Sequence, residues 1–118
     1  MIGCATLDSR MGQKMVRTEL YFGSARTSGS PVSEKEWRAF LDTEITPRFP
    51  DGLTVIDGAG QWRTQYGELI RERSRVLVII HSPTKDAHAR IETLRGRYKQ
   101  RFGQESVLKV ATPVRASF

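Results

Sequence analysis

The chain has 118 residues, 38% of them hydrophobic and 27% charged, which suits one compact domain and excludes both a disordered chain and a pair of ordinary domains. Its net charge of +6 favours anionic partners, although a solvated basic surface accounts for the charge as readily. The single cysteine, Cys4, excludes an intramolecular disulfide and cysteine-rich metal motifs. His81 and His88 lack metal-ligand spacing, so neither a metal nor a cofactor is expected, and no apolar run approaches the roughly 18 residues of a membrane helix.

In chain order, Met1-Ile2-Gly3-Cys4-Ala5 is similar to the end of a bacterial lipoprotein signal, in which a small residue precedes the cysteine that takes the lipid. On this reading Cys4 is a lipid-anchor position, residues 1–14 are a polar tether, and the protein is exported, periplasmic or lipid-anchored. The alternative is a chance match in a cytoplasmic protein. Residues 15–118 form the single domain.

Met15 to Phe22 alternates, with Val16, Thr18, Leu20 and Phe22 on one side and Arg17, Glu19 and Tyr21 on the other, which predicts a half-buried strand. A loop rich in glycine and serine follows. Ser33 and Glu36 fit a capping box, and Val32 and Trp37 fit a hydrophobic staple. Trp37, Phe40, Leu41 and Ile45 then form a helical stripe that Pro47 ends.

Leu53 to Thr64 and Leu69 to His81 read as two long strands. A two-residue loop at Tyr66-Gly67 would set Trp62 opposite Arg71, Gln61 opposite Glu72, Asp57 opposite Val76 and Leu53 opposite Ile80. That register gathers Leu53, Val55, Val76, Val78 and Ile80 on one face. A second helix starts near Ser82-Pro83-Thr84. Ala87, Ile91, Leu94, Tyr98 and Phe102 are its stripe, and Gly103 suits the left-handed cap. Ser106 to Ala111 reads as the last strand and Pro113 to Phe118 as a tail.

Strand, helix, strand, strand, helix, strand folds most simply into a ferredoxin-like α+β domain. Its four-stranded antiparallel sheet has the first and third strands in the centre and both helices on one face. The segment Asp57-Gly58-Ala59-Gly60-Gln61-Trp62-Arg63 invites comparison with a phosphate loop, but it lies within a strand-turn-strand unit and lacks the following helix such a loop requires. Gly58 and Gly60 therefore read as a bulge or a close backbone approach.

The register exposes Ile56, Trp62, Arg71, Arg73, Arg75, Leu77, Ile79 and His81 on the face away from the helices, joined by Arg17, Glu19, Tyr21 and Lys109. Three arginines in a row call for an anionic partner, and the apolar residues beside them call for cover. Tyr21, Trp62, Arg71, Arg73, Arg75 and His81 are thus the candidate ligand-binding residues. Two covers fit: a second copy, giving a homodimer through the sheet face, or an anionic or amphiphilic small molecule. The alternative is a cofactor-free enzyme of the dimeric ferredoxin-like kind, resembling a small monooxygenase or isomerase, in which His81 or Tyr21 moves a proton. Nucleic acid is disfavoured, because Ser74 to His81 offers no aromatic for stacking bases. A membrane would be reached only through a lipid on Cys4.

Several ordered blocks carry a family resemblance. They are Leu20-Tyr21-Phe22-Gly23, Pro31-Val32-Ser33 with Trp37, Thr46 to Val55, Gly60-Gln61-Trp62, Arg71-Glu72, Ser74-Arg75, Tyr98, and Arg101 to Leu108. Together they resemble the bacterial family known as domain of unknown function 3574, from residue 18 onward. The resemblance implies a small exported protein or lipoprotein and brings no catalytic residue with it.

Overall fold

A computed structural model of the protein describes residues 11–26 and 29–118. Cys4 and most of the expected tether lie outside the described residues. Strand β1 spans Gln13–Gly23 and helix α1 spans Glu34–Phe40. A π turn at Leu41–Ile45 and a 3-10 turn at Thr46–Arg48 continue α1. Strands β2 (Thr54–Arg63) and β3 (Leu69–His81), helix α2 (Lys85–Phe102) and strand β4 (Leu108–Ala116) complete the order. The strands form one antiparallel sheet, β2-β3-β1-β4, so the fold is the expected ferredoxin-like α+β arrangement with β1 and β3 central.

The helices form where the side-chain chemistry directs. The Glu36 amide donates to Ser33 Oγ and the Ser33 amide to Glu36 Oε1, both at 3.1 Å, which satisfies two amides that the start of a helix leaves free. Trp37, Phe40 and Ile45 are buried, as is Val32 before the cap. On α2 the whole stripe of Ala87, Ile91, Leu94, Tyr98 and Phe102 is buried. Gly103 ends the helix at φ +64°, a conformation that costs glycine little. The two helices press an aromatic core onto β1. Phe22 and Tyr98 lie 4.6 Å apart between ring centroids, and Tyr98 and Phe102 lie 4.8 Å apart. The Tyr98 hydroxyl donates to the Gly23 carbonyl at 2.5 Å, which gives a buried polar group its partner. Burial also pushes the ionisation of Tyr98 up.

Three expectations fail. Pro47 does not end the first helical run: Thr46 keeps helical angles and the 3-10 turn passes through Pro47 to Arg48, because proline is tolerated at the first position of a helical turn. β4 does not stop at Ala111; it runs through Pro113 to Ala116 along the outer side of β1, because proline is tolerated on an edge strand. The β2–β3 register is also shifted by one residue. Trp62 lies opposite Ile70, Gln61 opposite Arg71, Asp57 opposite Arg75 and Thr54 opposite Val78.

The turn explains the shift. The Thr64 amide donates to the Glu68 carbonyl at 2.8 Å, and Thr64 Oγ1 accepts from the amides of Tyr66 and Glu68. The loop therefore holds Gln65, Tyr66 and Gly67, with Gly67 at φ +82°, the glycine position of a three-residue hairpin loop. Because side chains alternate along a strand, the slip turns every β3 side chain to the other face. Leu77 and Ile79 are buried under the helices, and Val76, Val78 and Ile80 face away. Leu53 and Val55 pack against the core as expected.

Candidate functional site on the open sheet face

The slip decides which predicted residues share a surface. Arg75 is not on the open face. It is 1% exposed, with Nη2 donating to Glu34 Oε2 at 2.8 Å and its guanidinium over the Trp37 ring, 5.3 Å from the centroid. Arg73 shares that side and bridges Glu34 of α1 at 3.2 Å and Asp57 at 3.1 Å. Arg75 holds the Glu34 carboxyl below its usual range, with Arg73 adding to the effect. Arg71 lies opposite Gln61 on the same side, so Trp62 and Arg71, expected opposite each other, are on different faces. Lys109 also faces the helices and pairs with Glu92 of α2 at 2.9 Å.

His81 is on the helix side too, opposite Val16. Its Nδ1 donates to the Ser82 carbonyl at 2.9 Å, and in the neutral ring Nε2 then accepts from the buried Thr18 hydroxyl at 2.7 Å. It lies at the far end of β3 from Ile70, about 35 Å away along the strand, so His81 and Trp62 cannot act on one small ligand.

What remains on the open face is Tyr21 and Trp62, with Arg17, Glu19 and Ile56 as expected. The aliphatic side chains of Val76, Val78, Ile80, Leu108 and Val110 share it. Ile56 is 52% exposed and Leu108 58% exposed. Glu19 is occupied at one end, taking the Tyr21 hydroxyl at 3.0 Å and Arg17 Nε at 3.5 Å. The hydrogen bond to Glu19 pushes the ionisation of Tyr21 up.

Tyr21 and Trp62 line one cleft of about 600 Å³, together with Glu72, Ser74, Arg26 and Gln104. Glu72, expected on the helix side with Gln61, is instead the fixed charge of this cleft. Its Oε2 accepts from Trp62 Nε1 at 2.8 Å and its Oε1 from the Ala25 amide at 2.7 Å. Among the described residues no lysine or arginine forms an ion pair with it, and Arg26 on the cleft wall is engaged by Glu36 at 2.6 Å. Glycines make the room. A Cβ at Gly23 would stand 2.7 Å from Glu72 Oε1, and one at Gly60 would stand 3.3 Å from the Ser74 Cβ. The β2 ladder is unbroken through Gly58 and Gly60, so of the two readings of these glycines, Gly60 marks a close approach and neither marks a bulge.

Glu72 and Ser74 escaped the sequence reading because their side depends on the loop. The signal was Thr64 with a glycine three residues on, which fits a loop one residue longer than the one assumed. Among the described residues, no three His, Cys, Asp or Glu side chains gather closely enough to hold a metal ion.

Residues 17–118 match the family described as Protein of unknown function (DUF3574). The chain belongs to this family. No curated protein sequence matches the chain. In three dimensions the DUF3574 chain is similar to a phage SAM lyase in complex with S-methyl-5'-thioadenosine, with a TM-score of 0.67 at 16% identity over 91% of this chain and 94% of the other. The same enzyme in its apo state gives a TM-score of 0.64 at 16% identity, over 92% and 95% of the two chains. The divalent cation tolerance protein Cut A1 from Thermus thermophilus gives 0.53 at 15% identity, over 90% and 88%. At these identities the likeness concerns the fold.

Proposed function

We propose that this DUF3574 chain is a small-molecule-binding domain whose ligand sits in the open-face cleft, stacked on Trp62 and bonded to Glu72. The observation that carries this reading is the Glu72 carboxylate. It is held by the Trp62 indole and the Ala25 amide, and among the described residues it forms no ion pair, Arg26 on the cleft wall being engaged by Glu36. A carboxylate fixed beside an aromatic wall selects a ligand with a flat ring and hydrogen-bond donors or positive charge. Arg71, Arg73 and Arg75 lie on the helix side of the sheet, which removes the support for an anionic head.

S-Methyl-5'-thioadenosine, the ligand of a similarly folded protein, is a suitable first probe, with a purine to stack and hydroxyls to donate. Calorimetric titration with this nucleoside and with S-adenosylmethionine should give saturable binding that Glu72→Gln and Trp62→Ala each weaken at least tenfold. Saturable binding that both variants leave intact would refute the site, and no heat at millimolar concentration of either probe would refute the ligand class.

The same reading includes a second copy over the aliphatic face, because Ile56, Leu108 and Val110 form a patch too apolar to leave in water. Catalysis in the cleft is the second reading, favoured by the Tyr21–Glu19 pair on its rim. With its ionisation raised, Tyr21 keeps its proton at neutral pH and would serve as an acid, so Tyr21→Phe should abolish any turnover of S-adenosylmethionine while sparing its binding.

A further inference from the structure

The two edges of the sheet differ in a way that points to a partner. In the β2–β3 hairpin the Thr64 amide bonds to Glu68. The ladder alternates from there, so the hydrogen-bonded pairs are Trp62–Ile70, Gly60–Glu72, Gly58–Ser74 and Ile56–Val76. The amides and carbonyls of Val55, Asp57, Ala59, Gln61 and Arg63 therefore point away from β3, toward the free edge. Carrying the alternation across β3 and β1 makes Lys109, Ala111, Pro113 and Arg115 the residues that turn their backbones to the other edge, along β4. There Pro113 has no amide to offer, so a paired ladder cannot run through it. β2 has no such block. It is ten residues long, contains no proline, lysine or bulge, and carries Gly58-Ala59-Gly60 at its centre. Native proteins seldom leave such an edge unpaired.

We propose that β2 pairs antiparallel with β2 of a second copy of the chain, about a two-fold axis through Ala59. The occupant follows from self-complementarity. In this register the outward-pointing residues meet one another: Ala59 its own copy, Asp57 the partner's Gln61, and Val55 the partner's Arg63. On the open face, Ile56 meets the partner's Trp62, and both are exposed in the single chain at 52% and 44%. On the helix side, Asp57 lies diagonal to the partner's Arg63, within reach of opposite charges. Gly58 meets the partner's Gly60, so no side chain obstructs the axis on the open face. Pairing makes one eight-stranded sheet with all four helices on one side and brings the partner's Ile56 against Trp62 at the cleft wall. The contact is separate from the sheet face and does not depend on the ligand reading.

Ala59→Pro removes an outward amide and leaves the bonds to β3 in place. Sedimentation should find the wild type at no less than twice the 13.4 kDa of the chain, and Ala59→Pro at half the wild-type mass with an unchanged far-ultraviolet circular dichroism spectrum. The amides of Val55, Asp57, Ala59 and Gln61 should exchange slowly in the wild type. A second route covers the case in which Ala59→Pro fails to fold. In a Cys4→Ser background, Ala59→Cys should form a covalent dimer on mild oxidation at least tenfold faster than Gln61→Cys, whose counterpart across the axis is Asp57. A wild type at 13.4 kDa, a folded Ala59→Pro variant of undiminished mass, or equal cross-linking of the two cysteine variants would each overturn the proposal.

Discussion

The two faces of this sheet bury different chemistry. Under the helices, Phe22, Trp37, Phe40, Tyr98 and Phe102 make a continuous aromatic core, and that core also takes in a guanidinium, Arg75. On the other side, aliphatic residues from β2, β3 and β4 stand partly exposed beside two held carboxylates, Glu19 and Glu72. The charge that looks surface-bound in the sequence is inside, and the apolar run that looks internal is half outside. Burial follows partners. Arg75 can lie inside because Glu34 pairs with it and Trp37 offers the face of its ring, and Val78 can lie outside because its strand is apolar at both parities.

The comparison breaks first at the core. Phe22→Ala should cost about 3–5 kcal/mol in urea unfolding, by loss of transfer energy and an unfilled cavity, whereas Ile56→Ala on the open face should change monomer stability by less than about 1 kcal/mol. Similar losses would mean that the faces are not distinct.

The next largest effect concerns acid. The Glu34 carboxyl is held down in the folded state by Arg75 and Arg73. Its contribution is therefore full above the unfolded carboxyl range and is lost as pH falls through the lowered folded value. Glu34→Gln should be less stable than the wild type at neutral pH, with the gap closing toward about pH 3, where glutamate is protonated in the unfolded chain. A gap independent of pH would remove the ion pair from the account.

Third, Val110→Glu should leave the urea midpoint nearly unchanged and lower the solution mass, if a second copy covers the sheet face. An unchanged mass would free that face for the ligand alone. The smallest effect belongs to Gly23→Ala. Its Cβ would meet the Glu72 carboxylate, so the Trp62 indole N–H resonance should shift, at a cost of about 1 kcal/mol for the displaced hydrogen bond. An unmoved resonance would show that the carboxylate yields without losing Trp62.

The helices were legible because their signals are local. Ser33 with Glu36 lies within one turn, and the stripe from Ala87 to Phe102 repeats at the helical period, so neither needs a distant neighbour to decide it. The first strand was legible by alternation, since Thr18, Leu20 and Phe22 contrast with Arg17, Glu19 and Tyr21. The third strand was not. Val76 to Ile80 is apolar on both sides, so its facing hangs on the hairpin loop, and a two-residue loop at Tyr66-Gly67 turns the arginines at 71, 73 and 75 outward where the three-residue loop turns them in. Of the candidate site, Tyr21 and Trp62 stay together on the open face, because neither belongs to β3. Glu72 was missed because its side was inverted with the rest of that strand.

The sequence alone determined the elements, their order and the family, because periodicity, caps and turn residues act over a few positions. Only the tertiary structure decided which side of β3 is inside. That choice turns on one extra residue in the hairpin loop and on an α1 glutamate placed to receive Arg75, and period-two alternation turns so small a difference into an exchange of faces.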